Sequence, residues 1–207
     1  MRTFWIASLG IGLALFAAEG IAQDVGHGAD DYKLCASCHG FKGEGNALVN
    51  APALAGQEHW YLKRQLRYFR DGIRGASKDD AQGHAMAQMS RGLNSDEKIA
   101  DIVAYIGTLP SPKSEGTVEG DSARGQSHYA ACAACHGVEA QGNAALNAPS
   151  LVTTDDWYQV RQLKLFKQGL RGAHADDTYG QQMRPMAGVL ADDAAIRDVV
   201  TYINTLK

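Results

Sequence analysis

Two five-residue strings carry most of the chemistry legible in this 207-residue chain: Cys35-Ala36-Ser37-Cys38-His39 and Cys132-Ala133-Ala134-Cys135-His136. Two thiols separated by two residues share one helical turn, so each can add to a vinyl group of a haem. The histidine that follows reaches the iron as proximal ligand. These motifs use all four cysteines of the chain. A disulfide framework would need no histidine at a fixed place, so two covalently bound c-type haems are expected on Cys35, Cys38, Cys132 and Cys135, with His39 and His136 on the irons.

An iron held by one histidine keeps an open position, and what fills it separates electron transfer from catalysis. Each half offers two methionines, Met86 and Met89, then Met183 and Met186. A thioether is a soft ligand that favours ferrous iron and closes a six-coordinate site. The segment reads as a loop before the last helix, and Met89 and Met186 both stand 50 residues after their histidines. Pro185 would stiffen the approach to Met186, which points to Met89 and Met186 as ligands and leaves Met86 and Met183 as packing. Gln88 replaces that proline in the first half, so Met86 stays open as the alternative there. His84, His59, His128 and His174 have Gln181, Asp156, Asp31 and Ser77 at their repeat positions and read as solvated; His27 lies near the start of the mature chain. Arg64, Arg161, Tyr61 and Tyr158 are candidates to face a haem propionate, with Trp60 and Trp157 as helix packing.

The elements that position these groups come as two copies. An offset of 97 carries Cys35 to Cys132, Pro52 to Pro149, Trp60-Tyr61 to Trp157-Tyr158, Arg74-Gly75-Ala76 to Arg171-Gly172-Ala173, and Tyr105-Ile106 to Tyr202-Ile203 without a gap. Such a register means duplication of a complete domain. The expected division is a signal peptide over 1–22, a first domain over 24–109, a linker over 110–120 containing Pro110 and Pro112, and a second domain over 121–207. Domains of roughly 90 residues are small for an independent core, and a buried haem supplies the missing apolar body. The pattern is all helical. Haem-motif helices are expected over 29–38 and 122–135, and middle helices over 57–73 and 155–170. Leu62, Leu66, Phe69 and Ile73 share one face of the first middle helix. A last helix opens at Asn94 with Glu97 as its capping-box partner, and its apolar face is Ile99, Val103 and Ile106.

Arg2, the apolar stretch 4–18 and Gly20-Ile21-Ala22 read as an export signal cleaved near Ala22, the alternative being an uncleaved anchor. Export suits haem attachment outside the cytoplasm. Residues 1–22 hold one Arg and one Glu, so the net charge stays at −3 after cleavage. No basic patch points to nucleic acid, and no second apolar run is long enough to span a bilayer.

Two class I cytochrome c domains in tandem, each with Cys-x-x-Cys-His, an Ala-Pro-x-Leu segment and a late methionine, resemble the dihaem cytochrome c4 family. Gln57 to Gly75 and Met86 to Leu109 are especially similar to it. The resemblance implies a periplasmic dihaem electron carrier, His39/Met89 and His136/Met186 as axial pairs, and Pro52 and Pro149 carbonyls holding the histidines. It also implies domains packed face to face with propionates towards the interface. The expected role is shuttling single electrons from a respiratory complex or dehydrogenase to a terminal oxidase, with peripheral membrane association possible. The alternative is a dihaem subunit of a catalytic complex such as a sulfide-oxidising flavocytochrome. A peroxidase or thiosulfate-oxidising enzyme is disfavoured, because no cysteine is spare and both halves have methionine available.

Overall fold

The computed structural model describes residues 23–113 and 116–207; the expected export signal lies outside them. Among the described residues the chain is all helical, and no helix is long and apolar enough to cross a membrane. The first unit contains α1 (Val25–His39), α2 (His59–Arg70), α3 (Ala81–Ser90) and α4 (Asp96–Ile106). The second repeats it as α5 (Ser122–His136), α6 (Asp156–Lys167), α7 (Thr178–Gly188) and α8 (Asp193–Asn204). After each haem motif a short 3-10 turn, Ala47–Val49 or Ala144–Leu146, is closed by a single antiparallel bridge, Asn46 to Ala51 or Asn143 to Ala148.

Each unit is organised by one helix crossing. Helix α1 packs on α4, and α5 on α8, around the apolar face read from the sequence: Ile99, Val103 and Ile106 are buried, as are Ile196, Val200 and Ile203. Tyr32 and Tyr129 fill the crossing and donate to the Gly40 and Gly137 carbonyls at 2.8 and 2.6 Å. The backbones meet at Gly28 and Gly125. A Cβ there would lie 2.0 Å from the Asp101 carbonyl oxygen or 1.9 Å from that of Asp198.

Three sequence expectations change. The methionine segments are helices, α3 and α7, because Asp80 and Asp177 cap them by accepting from the Gly83 and Gly180 amides at 3.0 and 2.8 Å. Helix α2 stops at Arg70, so Ile73 is not on its face; Gly72 follows with φ +73°. Helix α4 is capped by Ser95, whose hydroxyl accepts from the Lys98 amide at 3.1 Å, so Asn94 lies outside it.

The second half of the linker is tied to the second unit. Asp156 is 1% exposed and accepts from the Thr117 and Val118 amides, the Thr117 hydroxyl and the Asn204 side chain. Burial opposes ionisation of this carboxyl, but donors from Val118 and Thr117 outweigh it and hold its pKa below the usual value. A depressed folded-state pKa contributes stability above about pH 4, lost as pH falls through the lowered value. Asp156→Asn is therefore expected to destabilise the second unit by about 2 kcal/mol at pH 7. Thermal melts should show the gap from wild type narrowing at pH 3; a gap independent of pH would contradict the charged clasp.

Candidate haem sites

A cavity opens beside each haem motif, with volumes of about 1150 Å³ and 1050 Å³ including their open mouths. The first is lined by Cys35, Cys38 and His39 of α1, apolar side chains of α2 and α4, and both Met86 and Met89 of α3. The second brings together Cys132, His136, Met183 and Met186. All four cysteines are unpaired thiols. Adjacent turns of α1 thus present two thiols and an imidazole to a largely apolar cavity, as a covalent haem requires, and α5 presents Cys132 and His136 in the same way, with Cys135 exposed beside them.

The histidines are oriented before any iron is considered. His39 Nδ1 lies 2.7 Å from the Pro52 carbonyl oxygen, and His136 Nδ1 lies 2.8 Å from that of Pro149. A carbonyl only accepts, so Nδ1 carries the proton and Nε2 keeps the lone pair a metal needs. Burial holds both imidazoles below their ordinary pKa, against the pull of the proline carbonyls, which favours the neutral ring.

The methionines separate by exposure. Met86 and Met183 are half-buried, whereas Met89 is 49% and Met186 36% exposed. At 100° per residue, Met86 lies about 70° and Met89 about 130° from the centre of the buried face that Gly83, Ala87 and Ser90 define. Pro185 lies inside α7 and so does not stiffen a loop. The reason for preferring the second methionine of each pair therefore disappears.

The cavities share a wall. Gln57, Tyr61, Gln65, Tyr158 and Gln162 line both. Arg64 of the first unit faces the second cavity and Arg161 of the second faces the first, so these arginines serve the opposite unit from the one their sequence position suggested. They grip the opposite haem loop, Arg64 reaching Asn147 at 3.0 Å and Arg161 reaching Asn50 at 3.2 Å. Trp60 and Trp157 pack beside these guanidiniums.

Arg74 and Arg171 had not stood out in the sequence. Both are buried, stacked on Phe69 and Phe166. Arg74 donates to Gln65 at 2.6 Å, Tyr158 at 2.8 Å and Gln162 at 2.9 Å; Arg171 donates to Gln162 at 2.9 Å, Tyr61 at 3.0 Å and Gln65 at 3.2 Å. Burial would push the Tyr158 phenol up, but the flanking Arg74 and Arg171 hold it below its ordinary pKa. These acceptors are amide and phenol oxygens rather than carboxylates, and Arg74 Nε is buried without a partner. Buried cations hydrogen-bonded only to amides and phenols have room for an anion, and haem carboxylates fit that wall. Only their retention at the 97-residue offset could have flagged these arginines in the sequence. His84, by contrast, is tied to the Gly75 carbonyl at 3.1 Å and lines neither cavity.

Tandem helical units with one covalent haem site each define a dihaem c-type cytochrome. The Cytochrome c family profile matches residues 26–110 and 122–207. Cytochrome c4 of Azotobacter vinelandii is 37% identical over 192 residues, covering 86% of this chain and 89% of that protein. A protein of Stutzerimonas stutzeri (strain A1501) named thiosulfate dehydrogenase electron acceptor is 27% identical over 194 residues, covering 88% and 86%. The crystal structure of reduced recombinant cytochrome c4 from Pseudomonas stutzeri superposes with a TM-score of 0.68 at 28% identity, covering 90% of this chain and all of that one. The chain belongs to the dihaem cytochrome c4 family.

Proposed function

We propose that this protein is a periplasmic carrier that takes single electrons from a respiratory complex or dehydrogenase and delivers them to a terminal oxidase. The observation that carries the reading is the wall common to the two haem cavities, built from Gln57, Tyr61, Gln65, Tyr158 and Gln162. A wall one side chain thick lets an electron pass between haems without leaving the protein. The bound haems supply a one-electron iron couple. Cys35, Cys38, Cys132 and Cys135 would hold them and His39 and His136 would ligate the irons through Nε2, with the Pro52 and Pro149 carbonyls fixing the imidazoles. Burial and helical phase support Met86 and Met183, rather than Met89 and Met186, as the closing ligands. Arg74 and Arg171 neutralise haem carboxylates at the wall.

A spectroelectrochemical titration is expected to show two one-electron waves and two low-spin haems with Met–iron bands. Peroxide or thiosulfate turnover by the purified protein alone would overturn the carrier reading. Thiosulfate dehydrogenase as the donor is a second reading, favoured by the similarity to the Stutzerimonas stutzeri electron acceptor. Rapid reduction by such an enzyme, and not by a respiratory complex, would select it.

A further inference from the structure

Six of the eight α-helices among the described residues have an N-cap side chain that accepts from its own helix. The exceptions are Glu58 of α2 and Asp155 of α6, which occupy the same position in the two repeats and make no such bond. Their carboxylates cross the interface instead. Glu58 Oε1 accepts from the Ser150 amide at 2.8 Å, and Asp155 Oδ2 accepts from the Ala53 amide at 2.7 Å.

The amides they choose matter. The Ser150 N–H belongs to the peptide group whose oxygen is the Pro149 carbonyl, and that oxygen accepts from His136 Nδ1. Likewise the Ala53 N–H shares its peptide with the Pro52 carbonyl, which accepts from His39 Nδ1. Each haem histidine is thus joined through one polarisable peptide to a carboxylate of the other domain. Ordinary packing does not require both repeats to forgo a helix cap for this bond. The second carboxylate oxygen of Glu58 is buried without a partner, so the Ser150 bond is the specific contact holding that side chain.

We propose that Glu58 and Asp155 are positioning residues that tune the haem of the opposite domain through the Ser150 and Ala53 peptides. A carboxylate drawing on the N–H leaves more negative charge on the carbonyl oxygen, because hydrogen bonds in a chain polarise one another. The carbonyl then pulls harder on the imidazole N–H, making the ring more imidazolate-like and a stronger donor to iron. A stronger donor favours ferric iron and lowers the potential. Docking of the two domains is thereby written into both potentials. The inference rests on the dihaem reading, and a haem count below two would refute that reading separately.

The test uses the full-length holoprotein. Spectroelectrochemistry gives the two potentials, and the haem methyl resonances of the ferric state assign them. Glu58→Gln is expected to raise the potential of the second haem and leave the first near wild type; Asp155→Asn should do the reverse. The half-reduced protein should then shift its electron several-fold towards the second haem in the first variant and towards the first haem in the other. Glu58→Asp keeps the charge but shortens the reach, and should also raise the second potential. In ferrous protein the Ser150 amide proton should move upfield in both Glu58 variants. The proposal is overturned if each variant moves only its own domain's haem, if neither potential moves, or if Glu58→Asp matches wild type while Glu58→Gln shifts. The Asp155 variant provides an independent readout should a Glu58 variant fold poorly.

Discussion

Met86→Ala is expected to abolish the Met–iron charge-transfer band of the first haem, and Met183→Ala that of the second, while Met89→Ala and Met186→Ala keep both. Removing a soft thioether opens the iron to water and favours the ferric state, so the potential of the affected haem should fall by about 0.2 V within the ~0.8 V that axial ligands command. The opened ferrous iron should also bind carbon monoxide, at one haem per substitution. The reasoning is geometric. Met86 and Met183 flank the buried faces of α3 and α7, whereas Met89 and Met186 are turned further towards solvent. Loss of a band in Met89→Ala with retention in Met86→Ala would reverse the assignment.

The second large effect concerns no chemistry. Gly28→Ala and Gly125→Ala should each destabilise one unit by about 3 kcal/mol or more, since overpacking costs about 1–3 kcal/mol even where side chains can yield. Here the opposing atoms are backbone carbonyls, and a Cβ would sit 2.0 Å from Asp101 O or 1.9 Å from Asp198 O. Helix α1 would have to move off α4, and α1 carries the haem thiols and histidine. Calorimetry should resolve one early transition while the other unit melts as in wild type. Gly188→Ala serves as the control, because a Cβ there meets nothing within 4 Å and the residue lies inside α7. Equal stability of Gly28→Ala and Gly188→Ala would contradict the tight crossing.

The haem motifs were legible because covalent attachment needs fixed residue types at fixed local spacing, independent of the surrounding fold. The last-helix faces were legible for a related reason: Ile99, Val103 and Ile106 repeat with the helical period and are buried. Met86 against Met89 was not. Both are local in sequence, but whether they sit on a loop or a helix depended on Asp80 and Asp177 capping α3 and α7. Arg74 and Arg171 are unremarkable residues after a helix until the opposite domain supplies Tyr158, Gln162, Tyr61 and Gln65 as partners. The glycines at 28 and 125 likewise gain meaning only from a backbone more than seventy residues away.

Two covalent haems, two duplicated helical domains and an electron-transfer chemistry were readable along the chain, because thiol spacing, helical period and a constant offset of 97 are one-dimensional facts. The way those domains meet is set by folding. Contacts between residues about one repeat apart, such as Glu58 with Ser150 and Arg74 with Tyr158, arise where two surfaces meet. Local spacing carries no signal of that meeting, and there one haem site is finished by residues of the other.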